Sequence, residues 1–109
     1  MAKLICIYWR DIPAQVIGRE GRKKTRKELA PRFMKAIDRA AMRAGRGSSD
    51  AYLADWRREP EEVSGNLEEL IERKVAMLEN TFDDDFLESV IKAGGQIEEA
   101  KKRAEKKRR

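Results

Sequence analysis

Lys3-Leu4-Ile5-Cys6-Ile7-Tyr8-Trp9-Arg10-Asp11-Ile12-Pro13-Ala14-Gln15-Val16 decides the fold of this chain. From Lys3 to Arg10 the composition is that of a β-strand, rich in isoleucine and aromatic residues. The run is almost continuously apolar, which predicts burial on both faces and a central place in a sheet. Asp11-Ile12-Pro13 breaks the strand, because proline has no N–H to give to a ladder and pre-sets a turn. Ala14 to Arg19 then reads as a second strand, with Val16 and Gly18 on one side and Gln15 and Ile17 on the other. Two strands joined by a short turn make a hairpin.

Outward from the hairpin, Gly21-Arg22-Lys23-Lys24-Thr25-Arg26-Lys27 reads as a basic connector. A helix is predicted from Pro31, a residue suited to the first helical position. Phe33, Met34, Ile37, Ala40, Ala41 and Ala44 form its apolar stripe, and Arg32, Lys35, Arg39 and Arg43 its basic face. Gly45 and Gly47 end it. Ala51 to Arg58 is ambiguous: Asp50 offers a helix cap, whereas Tyr52, Ala54 and Trp56 alternate as in a strand. The strand is preferred, as a third partner for the hairpin, ended by Glu59-Pro60. Asn66 caps the next helix, with Glu68 and Glu69 in the first turn where the helix dipole favours acids. Leu67, Leu70, Ile71, Val75, Leu78 and Phe82 mark its buried side. Asp83-Asp84-Asp85 starts a shorter helix through Phe86, Leu87, Val90 and Ile91, closed by Gly94-Gly95. The predicted order is β-β-α-β-α-α, an α+β domain over 1–95 with a small antiparallel sheet (hairpin plus third strand) and helices packed on one face. Residues 96–109 are expected to be a basic C-terminal tail, a frayed helix or disordered.

Composition narrows the chemistry. Of 109 residues, 41% are charged, so the core is thin and a deep cleft is hard to build. There is no histidine. That removes the commonest general base and metal ligand, along with serine–histidine and cysteine–histidine nucleophiles. The single cysteine, Cys6, lies in the apolar run and reads as a small buried hydrophobe, consistent with a reducing cytosol. The apolar run before Arg10 is too short for a signal peptide or a membrane span, so a cytoplasmic location with no membrane contact is expected. Charge is segregated: 15 Lys/Arg against 7 Asp/Glu in residues 1–60, 3 against 12 in 61–100, and 7 against 1 in 101–109. Such asymmetry suggests a partner-facing surface, or pairing of the acidic segment with the basic face of a second copy.

No motif carries a reaction. The aspartate triplet invites a hard cation, but consecutive positions diverge, and capping is the simpler reading. Glu61, Glu62, Glu68, Glu69 and Glu72 read as a solvated face. Gly18-Arg19-Glu20-Gly21 and Gly45-Arg46-Gly47 lack the features of phosphate loops. Arg22, Lys23, Lys24, Arg26 and Lys27, with Lys35, Arg39, Arg43 and the basic tail, are candidates for holding a phosphate backbone. Trp9-Arg10-Asp11 and Asp55-Trp56-Arg57-Arg58 repeat one local pattern, a tryptophan beside an arginine. Side by side in a sheet they would stack arginine on indole and form a recognition patch, because Trp and Arg are enriched at interaction hot spots.

Tyr8-Trp9-Arg10-Asp11-Ile12-Pro13-Ala14-Gln15-Val16 resembles the N-terminal signature of a small bacterial family known as "virulence factor". Ala36 to Arg43 and Asp50 to Arg58 are similar to two further segments of that family. The resemblance covers most of residues 3–95. It implies a small bacterial cytoplasmic protein with no assigned catalytic residues or cofactor, associated with corrinoid- and folate-linked methyl-transfer systems. The resulting expectation is a non-enzymatic accessory or adaptor protein, with no cofactor, that binds another protein through Trp9, Arg10, Asp11, Trp56 and Arg57. The alternative is a nucleic-acid-binding module using the basic connector, helix face and tail.

Overall fold

A computed structural model describes residues 2–98 and 100. The chain runs β1 (Ala2–Trp9), β2 (Ile12–Glu20), β3 (Lys23–Glu28), α1 (Pro31–Arg43), α2 (Ser49–Ala54), β4 (Trp56–Val63), α3 (Leu67–Thr81) and α4 (Asp84–Lys92). The strands form one antiparallel sheet in the order β3-β2-β1-β4. The α+β class and the one-sided helical layer match the sequence expectation.

Strand alternation explains which side the helices take. Leu4, Cys6, Val16 and Gly18 are buried, and with Phe33, Ile37, Ile71 and Val75 of the helices they build the core. Helix α3 lies directly on β2 at Gly18, where a Cβ would stand 2.6 Å from Ile71 Cδ1 and 2.9 Å from Leu67 Cδ1. Only glycine lets the helix approach that closely. Helix α4 packs on α1, and Phe33 meets Phe82 edge-on at 6.2 Å between centroids. Side-chain caps fix both later helices: Asn66 Oδ1 accepts from Glu69 N, and Asp83 Oδ1 accepts from Phe86 N. The first aspartate of the triplet is thus a helix cap.

The structure corrects four details of the sequence reading. The basic connector is a strand, β3, joined to β2 by a two-residue turn in which Gly21 has φ of 60°. Residues 51–58 are not one strand: α2 ends at Ala54 and β4 runs from Trp56 through Pro60 to Val63. Tyr52 and Trp56 are also four residues apart, and they meet edge-on at 5.8 Å. Pro60 is tolerated because β4 is an edge strand, paired only with β1. β1 is central, as expected, but buried on one face only: Ile5 and Ile7 remain half-exposed. Packing also continues past residue 95, since Ile97 touches the core and Ala100 is buried. The remainder of the expected tail, 101–109, lies outside the described residues. No helix among the described residues is long and apolar enough to cross a membrane.

Candidate functional site

The β1–β2 turn brings the two Trp-Arg segments together around a buried indole. Trp9 is fully buried. Its indole stacks on Tyr52 at 6.0 Å and 25°, donates Nε1–H to the Tyr52 carbonyl at 2.9 Å, and closes on Gly95. A Cβ at Gly95 would stand 2.9 Å from Trp9 Cζ3, and this glycine has φ of 90°. A partner could reach Trp9 only by unfolding the tip, so its expected docking role is withdrawn.

Arg10 has φ of 52°, the only positive value among non-glycine described residues. A left-handed arginine costs roughly 1–2 kcal/mol. Its surroundings hold it there: Arg10 N donates to the Asp55 carbonyl (2.9 Å), Nε to Asp55 Oδ2 (3.1 Å) and Nη1 to the Gly94 carbonyl (3.0 Å). Arg46 Nε also donates to Asp55 Oδ2 at 2.9 Å, so one carboxylate joins two arginines. Partial burial pushes the Asp55 carboxyl up, but the hydrogen bonds from Arg46 and Arg10 and their charges outweigh it and hold the group below its ordinary value of 3.8. Asp11 ties the turn to the C-terminal end: its Oδ2 accepts from Ile97 N at 2.7 Å and its backbone N–H donates to Gly95 O at 2.9 Å. Asp11 Oδ1 accepts from Arg57 Nη1 at 3.2 Å, and the Arg57 guanidinium lies 4.8 Å from the Tyr8 ring centre. Trp56 is half-buried beneath Tyr52. A groove of about 560 Å³ lies here between Asp11, Trp56, Arg57 and Gln96, and two of its walls, Asp11 and Arg57, are paired with each other.

The basic candidates are divided between opposite sides of the molecule. On β3, Lys23 and Lys27 turn toward α3 and pair with Glu68 (2.6 Å) and Glu72 (2.5 Å). On α1, Arg39 makes a two-pronged pair with Glu88, and Arg43 Nε donates to the Lys92 carbonyl. Hydrogen bonding with Glu88 raises the Arg39 pKa, and the same bond lowers that of Glu88. Four cations of the first half, Lys23, Lys27, Arg32 and Arg39, thus pair with acids of the second half within one molecule. Lys24 and Arg26 face the opposite side of the sheet, and with Arg22 and Lys35 they make no ion pair among the described residues. No single basic stripe results. Burial pushes the Cys6 thiol up from its ordinary value, a hydrogen bond with Tyr8 only partly offsetting it, so the neutral thiol is the resting form.

What sequence reading missed is the uncovered side of the sheet. Cross-strand partners share a face, so three rows follow from the register. Lys24, Arg19, Lys3 and Glu62 form one; Arg26, Ile17, Ile5 and Pro60 the next; Glu28, Gln15, Ile7 and Arg58 the third. Ile17 is only 6% exposed yet lies outside the helix-side core cluster, which marks it as the centre of a second, smaller apolar patch. Lys3, Ile5, Arg19, Gly21, Arg58 and Pro60 line a shallow depression of about 460 Å³ on this side. The signal was present in the alternation Lys3-Ile5-Ile7 and Gln15-Ile17-Arg19, hidden by the apolar residues between them.

A family model described as "Virulence factor" matches residues 7–91. No curated protein and no solved structure matches the chain. The matched region holds the end of β1, strands β2 to β4, helices α1 to α3 and α4 but for its last residue, and on that match the chain belongs to the virulence-factor family.

Proposed function

We propose that this chain is a non-enzymatic accessory protein that docks on another protein through the uncovered face of its sheet. The observation that supports this reading is the patch of Ile5, Ile7 and Ile17 set among charged side chains, opposite the layer that carries the helices. A one-layer sheet with aliphatic residues at the centre of its open side and charges at its margin has the anatomy of a modest protein interface. Every polar group singled out at the tip is already engaged, which makes the tip a brace and leaves the sheet face for a partner. Candidate partners are the corrinoid- and folate-linked methyl-transfer proteins that the family resemblance implies.

The nucleic-acid alternative keeps one observation in its favour, the cations Lys24 and Arg26 on the same face. Against it, the face offers no aromatic ring for base stacking.

The test is affinity capture from a bacterial cytoplasm with the full chain as bait, repeated with Ile7→Asp and after nuclease treatment. A protein held by the native chain, insensitive to nuclease and lost with Ile7→Asp, supports docking through this face. A capture profile unchanged by Ile7→Asp removes the face from consideration.

A further inference from the structure

The row Lys24–Arg19–Lys3 sets three cations directly opposite one another on three adjacent strands and ends on Glu62 of β4, opposite Lys3. Opposed side chains in a sheet stand roughly 5 Å apart at Cβ, and like charges so placed are destabilising. None of the three makes an ion pair among the described residues, and neither do Arg26 or Arg58 on the same face. The contrast lies within single strands. On β3, Lys23 and Lys27 point to the helices and are matched by Glu68 and Glu72, while Lys24 and Arg26 point away and are left unmatched. On β4, Glu61 pairs with Lys74 of α3, whereas Arg58 has no carboxylate partner. Among the described residues of the four strands, the cations that face the helices are matched by acids and those on the open face are not.

Resting on the docking reading above, we propose that the occupant of this face is an acidic polypeptide segment carrying aliphatic side chains. Its carboxylates meet Lys3, Arg19 and Lys24, and its aliphatic groups meet Ile5 and Ile7. On β1 and β2 the cation and the isoleucine are two residues apart, Lys3 from Ile5 and Arg19 from Ile17, roughly 6.6 Å. An extended segment with an acid at one position and an aliphatic residue two further on matches that interval. The edges do not compete with the face: Pro60 interrupts the outer edge of β4, and lysines and arginines line β3, both of which discourage strand addition. Nucleic acid would answer the charge but leave the isoleucines without stacking partners.

The experiment is fluorescence anisotropy with the full chain and three labelled probes: a (Glu-Glu-Leu-Leu)3 peptide, a (Glu-Glu-Ser-Ser)3 peptide and a twelve-nucleotide polyuridine. The two-on, two-off pattern puts a carboxylate and a leucine alternately along each side of an extended chain. The expected result is that the leucine peptide binds about ten-fold or more tightly than the serine peptide. Arg19→Glu and Ile7→Ser should each weaken it by a similar factor, that is, by roughly 1.4 kcal/mol or more. Polyuridine binding more tightly than the leucine peptide, equal binding of the two peptides, or no binding by any probe would each overturn the proposal. Failure here separates from failure of the docking reading in the capture experiment. A protein lost with Ile7→Asp but retained with Arg19→Glu keeps the face and discards the acidic occupant.

Discussion

The tip of the β1–β2 hairpin and the open face of the same sheet use similar residues to opposite ends. At the tip, Arg10 and Arg46 share Asp55, Arg57 meets Asp11, and Trp9 is sealed beneath Tyr52 and Gly95. On the open face, Lys3, Arg19 and Lys24 stand side by side in a row that only Glu62 closes, next to Ile5 and Ile7, which are left partly in water. The comparison teaches that residue type does not mark a binding site; satisfaction does. An arginine beside a tryptophan is a brace where its hydrogen bonds are filled, and a cation beside an isoleucine is available where they are not.

The sharpest way to break the comparison is to remove the brace. Trp9→Ala empties a fully buried site, and large-to-small changes of this kind cost about 3–5 kcal/mol. A single domain has only about 5–15 kcal/mol to lose, so a large drop in the urea midpoint is expected. Ile7→Ser on the half-exposed face should move the midpoint far less. Similar losses from both would mean that the open face is core, and would collapse the distinction between the two regions.

Next in size is the shared carboxylate. Asp55→Asn leaves Arg10 and Arg46 facing a neutral amide at a site that is 20% exposed, and a loss of about 1–2 kcal/mol is expected. Its pH dependence gives an independent check. The folded Asp55 sits below its unfolded value of 3.8, so its contribution is fully present above that value and disappears as pH falls through the lowered one. Glu68 and Glu88 are lowered too, chiefly by hydrogen bonds with Lys23 and Arg39, so the chain as a whole weakens in acid. Subtracting the Asp55→Asn stability curve from the native one isolates the carboxylate at the tip. A difference that stays flat from about pH 5 to pH 2 would deny Asp55 its role.

Much of this contrast was legible in the sequence, and where it was not the reasons are physical. The hairpin from Lys3 to Arg19, the stripe of α1 through Ile37 and Ala41, and the caps at Asn66 and Asp83 are local signals, and the structure contains all of them. Three misreadings share one cause, that pairing is not local. Lys-Lys-Thr-Arg-Lys looks like a connector until β2 lies beside it and α3 supplies carboxylates to Lys23 and Lys27. Glu59-Pro60-Glu61-Glu62 looks like a terminator until β1 takes it as an edge. The apolar run of β1 looks buried on both faces, yet no helix arrives to cover Ile5 and Ile7. The Trp-Arg pattern was seen correctly, but its role depends on Asp55, Gly94 and Ile97, which the sequence alone does not bring to it.

A smaller effect probes the open face from within. Gln15 Oε1, in the row with Ile7 and Arg58, is buried with no hydrogen-bond partner among the described residues. Such a group costs about 1 kcal/mol or more. Gln15→Met keeps the length of the side chain without the orphaned oxygen, and a gain of about 1 kcal/mol in urea unfolding is expected. Loss of stability instead would mean that the amide supports the strand.

The smallest expected effect is the most discriminating, because its sign runs against intuition. Arg19→Glu alters a charged, exposed residue, and in the docking reading it damages function. In the fold it should do the reverse. A glutamate at position 19 stands between Lys3 and Lys24 and replaces two repulsive cross-strand pairs with two attractive ones. Each opposite-charge pair contributes about 0.2–1 kcal/mol, so a gain of roughly 0.5–1 kcal/mol is expected, shrinking as salt is added. Thermal unfolding of Arg19→Glu in low and high salt reads this directly. A protein that becomes more stable while losing its acidic ligand would show that the cations are held unpaired at a cost to the fold, as a surface kept open for a partner. If Arg19→Glu destabilises the chain, Arg19 is bound to something within the molecule, and the open face belongs with the tip.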